Sequence, residues 1–118
     1  MLNVVIYPEC STCRKAVKWF EENKIPFQKR HITKEKLSVD EIRDIHLKSG
    51  LPIKKFFNTS GKKYRELELK DKISAMTDEA CYELLATDGM LVKRPLVYHK
   101  DGLVTMGFKI DEYVKKWQ

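Results

Sequence analysis

Cys10 and Cys13, separated by Ser11 and Thr12, are the residues of this 118-residue chain whose type and spacing could do chemistry. Two thiols one helical turn apart can exchange a disulfide with a third sulfur: a thiolate attacks, and its neighbour resolves the mixed disulfide. The flanking residues favour this use. Leu2-Asn3-Val4-Val5-Ile6-Tyr7 predicts a buried strand ending just before the motif. From Arg14 to Asn23, Ala16, Val17, Trp19 and Phe20 fall at helical spacing. The cysteines therefore occupy a strand-to-helix turn. Unpaired backbone N–H groups and the positive end of the helix dipole converge there and favour a thiolate. Cys10, nearer the loop, is the candidate nucleophile, and Cys13 the candidate resolving thiol.

Two other uses of the pair compete with redox chemistry. A structural zinc ion wants four ligands, and the remaining candidates, Cys81, His31, His46 and His99, are isolated from one another. No metal site is expected. The cysteines could also be inert, although an exposed turn is an odd place for two structural thiols. A C-x-x-C at a βα junction favours redox chemistry over both. Arg14 either adds positive field to the turn or simply faces solvent.

The elements that must position this turn follow from pattern. Asn23-Lys24 and Pro26 end the first helix, and Phe27 to Ile32 reads as a second strand, parallel to the first through a βαβ crossover. Ser38 and Glu41 form a capping box, with Leu37 and Ile42 as a hydrophobic staple, and Gly50-x-Pro52 ends that helix. His46 is expected at the edge of its apolar face. Ile53 to Phe57 predicts a short helix, and Tyr64 to Leu69 is ambiguous. Thr77 caps a helix with Ala80, Cys81, Leu84 and Leu85 on one side, so Cys81 reads as core; Asp88-Gly89 closes it. Leu96–His99 and Leu103–Met106 flank a two-residue turn at Asp101-Gly102. A last helix from about Lys109 packs Ile110, Tyr113, Val114 and Trp117. The order is βαβ, several helices, then ββα. This predicts an α/β fold: a thioredoxin-like four-stranded mixed sheet with a helical insertion at about residues 38–87. Such a fold puts a cis proline opposite the redox turn, and Arg94-Pro95 is expected to be that bond.

The length suits one domain, residues 1–118, with a core of its own. Three cysteines, an odd count, make a poor secreted framework. No signal peptide is expected, and no run approaches the roughly 18 apolar residues of a membrane span. A cytoplasmic protein fits, because in a reducing compartment a C-x-x-C is more often catalytic or sensory than structural. The net charge of +6 favours acidic partners. The basic pairs Lys54-Lys55, Lys62-Lys63, Lys93-Arg94 and Lys115-Lys116 are scattered and read as solvated surface. No basic and aromatic residues interleave, so direct nucleic-acid binding is not expected.

The stretch Tyr7 to Ala16, with Asp88-Gly89-Met90-Leu91, Lys93-Arg94-Pro95-Leu96-Val97 and Gly107-Phe108, resembles the ArsC/Spx family, the arsenate reductase-like branch of the thioredoxin fold. The resemblance covers essentially the whole chain. It implies that Cys10 is the reactive cysteine, with Arg94 stabilising its thiolate or an incoming carboxylate. Ser11, Thr12, Arg14 and Pro95 are the implied substrate-binding positions, Pro95 shaping a groove that offers backbone to an extended peptide. No bound cofactor is implied; glutathione, thioredoxin or glutaredoxin is the implied electron donor. Arsenate reductases of the family cage the oxyanion with three arginines, and Asn58 and Gly107 stand at two of those places here, leaving Arg94. The Spx/MgsR regulators use a C-x-x-C as a redox switch and bind the C-terminal domain of the α chain of RNA polymerase, near where Gly50 falls. Three functions follow as expectations: a monomeric thiol–disulfide redox protein acting on a small thiol or a disulfide-bearing protein, a redox-switched regulator, and an arsenate reductase.

Overall fold

The computed structural model describes residues 1–118, and one of the two central strands of its sheet, β1 (Leu2–Ile6), sends alternate side chains into two separate apolar cores. β2 (Phe27–His31) pairs with it in parallel, from Leu2 opposite Phe27 to Ile6 opposite His31. β3 (Leu96–Tyr98) lies antiparallel on its other side, Val4 opposite Val97. β4 (Val104–Met106) completes the sheet, antiparallel to β3, in the order β2-β1-β3-β4. This is the thioredoxin-like mixed sheet that the element order implies.

The period of two along the strands sorts the layers. Leu2, Val4 and Val97 meet Ala16 and Phe20 of α1 (Ser11–Glu22) and Tyr113 and Trp117 of α5 (Ile110–Trp117). Val5, Leu96 and Val104 face the opposite way, onto the segment between β2 and β3. That segment carries α2 (Val39–Ser49), α3 (Lys62–Glu66) and α4 (Asp78–Thr87), joined by 3-10 turns. Cys81 belongs to this second core. The staple residues Leu37 and Ile42 are buried there too, and Ser38 and Glu41 form the capping box. Gly50 caps α2 in the left-handed conformation at φ 69°.

Several expectations need correction. α1 starts at Ser11, three residues before the helical spacing counted from Arg14, and Cys13 lies in its first turn, where the strand-to-helix placement expects it. Ile53–Phe56 is a 3-10 turn, and Tyr64 sits in the short α3. α5 packs through Tyr113 and Trp117, whereas Ile110 and Val114 are exposed because they fall off its inward face. The hairpin loop has three residues, Lys100 to Gly102. The His99 N–H donates to the Leu103 carbonyl at 3.0 Å, and Gly102 takes the required positive φ of 106°. Gly89 does more than end α4: a Cβ there would collide with the Ile32 carbonyl, so its absence lets the insertion close onto the end of β2. His46 is buried rather than at an edge, its Nδ1 2.5 Å from the Tyr82 hydroxyl.

Candidate active site

β1 ends at Ile6, and Tyr7 to Cys10 turns the chain, the Cys10 N–H donating to the Tyr7 carbonyl at 2.9 Å. Cys10 is the N-cap of α1, with extended backbone (φ −82°, ψ 118°), and as a thiol it makes no cap hydrogen bond. The N–H groups of the first helical turn therefore lack the oxygen that a Ser or Asp would supply. A thiolate at Cys10 fills that role. Partial burial works against the charge, but the Cys13 backbone N–H and thiol, the Arg94 charge and the Thr12 N–H outweigh it and hold the Cys10 thiol below its ordinary range.

Cys13 is the opposite case. It is fully buried on the inward face of α1 with Ala16 and Phe20. Burial pushes its thiol up to about 12; a Tyr7 backbone group and Arg94 pull the other way, and the neighbouring Cys10 sulfur adds to the rise. The two sulfurs of the pair are thus shifted in opposite directions, Cys10 down and Cys13 up. Both are free thiols here.

Arg94 precedes a cis peptide bond to Pro95 at the start of β3. Its guanidinium lies 5.5 Å from the centroid of the Tyr7 ring. Its Nη1 reaches the Met90 and Val92 carbonyls only at 3.4 Å, and its buried Nε has no partner. A cleft of about 320 Å³ opens beside it, lined also by Asn58, Lys62, Lys63, Asp88 and Met90. Asn58 therefore shares a cleft with Arg94, whereas Gly107, the other position matched to a cage arginine, does not line it. A larger open concavity, about 950 Å³, lies near Lys15 and the start of α5 and contains neither cysteine.

The remaining candidates divide. Thr12 contributes its backbone N–H, and Ser11 is exposed at the first position of α1. Arg14 turns back to donate to the Pro8 carbonyl at 3.2 Å, bracing the turn from the solvent side. Pro95 is buried and its carbonyl accepts from the Gly107 N–H at 3.0 Å, so that oxygen is not free for a peptide. Sequence reasoning missed Tyr7, which looked like the last residue of a strand; Lys62-Lys63 border the Arg94 cleft, which neither cysteine lines, and Lys62 is exposed as its reading as solvated surface expects. No cluster of three or more metal-ligating side chains occurs. No helix is long and apolar enough to cross a membrane.

Comparison with known proteins agrees with this geometry. Residues 5–116 match the model of the ArsC family. The chain is 52% identical over 112 residues to the uncharacterized protein YusI of Bacillus subtilis, covering 94% of this chain and 93% of that one. It is 31% identical over 112 residues to the global transcriptional regulator Spx of Bacillus subtilis, covering 95% of this chain and 83% of Spx. The crystal structure of an ArsC family related protein from Bacteroides fragilis superimposes with a TM-score of 0.90 at 48% identity, over 97% of both chains. With the sheet, the N-capping cysteine and the Arg-Pro strand start all in their expected places, the chain belongs to the ArsC family.

Proposed function

We propose that this protein is a thiol–disulfide oxidoreductase in which Cys10 attacks and Cys13 resolves. The observation that carries the reading is the placement of the two sulfurs: Cys10 is half-buried at the N-cap of α1, where its thiol is held below its ordinary range, and Cys13 is buried in the core, which pushes its thiol up. The Cys10 thiolate attacks one sulfur of a substrate disulfide, forming a mixed disulfide and expelling the other sulfur as a thiolate that takes up a proton. That step removes the anion beside Cys13 and so eases loss of its proton. Cys13 then attacks the Cys10 sulfur, releasing the second substrate thiol and leaving a Cys10–Cys13 disulfide. Two electrons have passed to the substrate; two return from glutathione or from a thioredoxin- or glutaredoxin-type dithiol. Arg94 holds the Cys10 anion or a substrate carboxylate, and Ser11, Thr12 and Arg14 frame the approach. The chain acts as a single monomeric domain, without a bound cofactor, in a reducing cytoplasm.

The test is turnover of a glutathione mixed disulfide. Cys10→Ser abolishes it, and Cys13→Ser, in the absence of an external thiol, stalls at the mixed disulfide; a Cys10→Ser rate equal to that of the unaltered protein rejects the reading.

A second reading rests on the 31% identity to Spx. The same Cys10–Cys13 pair would then gate binding, near Gly50, to the C-terminal domain of the α chain of RNA polymerase, and oxidant would change that affinity. Arsenate reduction is the weakest reading, because Asn58 and Gly107 leave Arg94 alone to hold an oxyanion that wants several charged donors, each worth about 1.5–3 kcal/mol.

A further inference from the structure

β4 is the last strand of the sheet on its side, and no strand pairs with its outer edge. Its phase is fixed: the Gly107 N–H donates to the Pro95 carbonyl and the His99 N–H to the Leu103 carbonyl, each at 3.0 Å. By the alternation of an antiparallel ladder, Thr105 exchanges both bonds with Val97, and Val104 and Met106 turn their backbone groups outward. The Val104 carbonyl indeed accepts from outside the sheet, from Lys116 Nζ at 3.2 Å.

This edge forms one side of a groove of about 540 Å³. The segment after Gly50 walls it on one side and α5 on the other, with the half-buried Leu51 and Met106 supplying apolar surface. Five lysines line it, Lys54, Lys55, Lys93, Lys109 and Lys116, against a single carboxylate, Glu112. Lysines beside an open edge deter pairing with neutral or basic strands. They also select what does pair there.

We propose that the outer edge of β4 is a docking site for an extended acidic segment of a partner protein, which adds as a fifth strand. The backbone of such a segment pairs with Val104 and Met106, and its carboxylates meet the lysines. Lys116 releases the Val104 carbonyl to an incoming N–H and moves onto one of those carboxylates. Main-chain bonds give affinity and alternate side chains give specificity, as in other strand additions. The site is separate from the cysteines and stands whether or not they turn over a disulfide.

The test uses the full chain and a fluorescent heptapeptide of alternating glutamate and valine, followed by anisotropy and by amide exchange. Saturable binding is expected at low ionic strength, with slower exchange of the Val104 and Met106 amides. Lys54→Glu combined with Lys55→Glu, both exposed, should weaken binding by about tenfold or more without changing the circular dichroism spectrum. The same peptide N-methylated at alternate residues should not bind. Equal binding of the N-methylated peptide, or unchanged exchange at Val104 and Met106, overturns the proposal and leaves a patch of charge. Tighter binding of a single-stranded oligonucleotide, with shifts confined to the lysines, also overturns it.

Discussion

The Arg94 guanidinium lies over the Tyr7 ring, 5.5 Å from its centroid, with its buried Nε unpaired. Tyr7 in turn accepts the Cys10 N–H at its carbonyl, so one residue aligns both the nucleophile's turn and the cation that favours its anion. A unit charge near a partly solvated site contributes on the order of 1 kcal/mol, which is about fivefold in a population. Arg94→Gln should therefore slow alkylation of Cys10 by iodoacetamide at neutral pH about fivefold. Arg94→Lys should recover part of the rate, and an Arg94→Gln rate equal to that of the unaltered protein would remove Arg94 from the site.

The two sulfurs should separate under titration. Cys10 alkylates at a pH where an ordinary thiol is still protonated, while Cys13 stays silent until strongly alkaline solution. Stability carries the other half of the effect. A thiol raised from 9.0 to about 12 stabilises the fold fully below pH 9, and that contribution is lost as pH rises toward 12. Chemical denaturation of Cys13→Ala against pH should show a shallower alkaline decline across that window than the unaltered protein.

At the acid end the test is Glu41. Arg30 grips it with both Nη atoms, at 2.5 and 2.9 Å, and holds its carboxyl at about 2, down from 4.5. The ionised pair stabilises the fold above pH 4.5, and its contribution disappears as pH falls through about 2. Because Glu41 is partly exposed, the contribution is about 1 kcal/mol rather than the full shift. Glu41→Gln should cost that much at neutral pH and nothing below pH 2, read from urea midpoints.

Tyr82→Phe should destabilise the protein by about 1–3 kcal/mol, because it strands the buried Nδ1 of His46. His46 and Tyr82 join α2 to α4, so the loss should appear first as faster amide exchange in those two helices. A midpoint unchanged from that of the unaltered protein would show that the bond contributes nothing net.

Gly89→Ala should cost about 1–3 kcal/mol by overpacking against the Ile32 carbonyl, read from urea midpoints. Gly50→Ala meets nothing within 4 Å, so its cost comes only from the left-handed backbone.

The fold was largely legible because its signals are local. The β-branched run Val4-Val5-Ile6, the Ser38–Glu41 box and the glycine caps each act within a few residues. The placement of Cys10 and Cys13 at the start of α1 was legible for the same reason, from the strand and helix patterns on either side. What the sequence could not reveal depends on distant segments meeting. Arg94 over Tyr7 spans most of the chain, and Lys62-Lys63 became cleft residues only because α3 folds back beside Arg94. The exposed Ile110 and Val114 show the converse error: a helical stripe names apolar residues but not which of them the sheet will cover.

Val4 and Val5 are chain neighbours, yet each looks into a different compartment, with strand backbone as the partition. Joining Cys10 to Cys13 would tug on the α1 compartment, reaching Ala16, Phe20 and Tyr113. The insertion lies across the partition, and its link to the pair runs through Tyr7, which packs against the second core, and through Arg94. A redox message carried by the core must therefore leave through α1 and α5, whereas one bound for Gly50 in the insertion must pass the strand ends, by way of Tyr7 and Arg94.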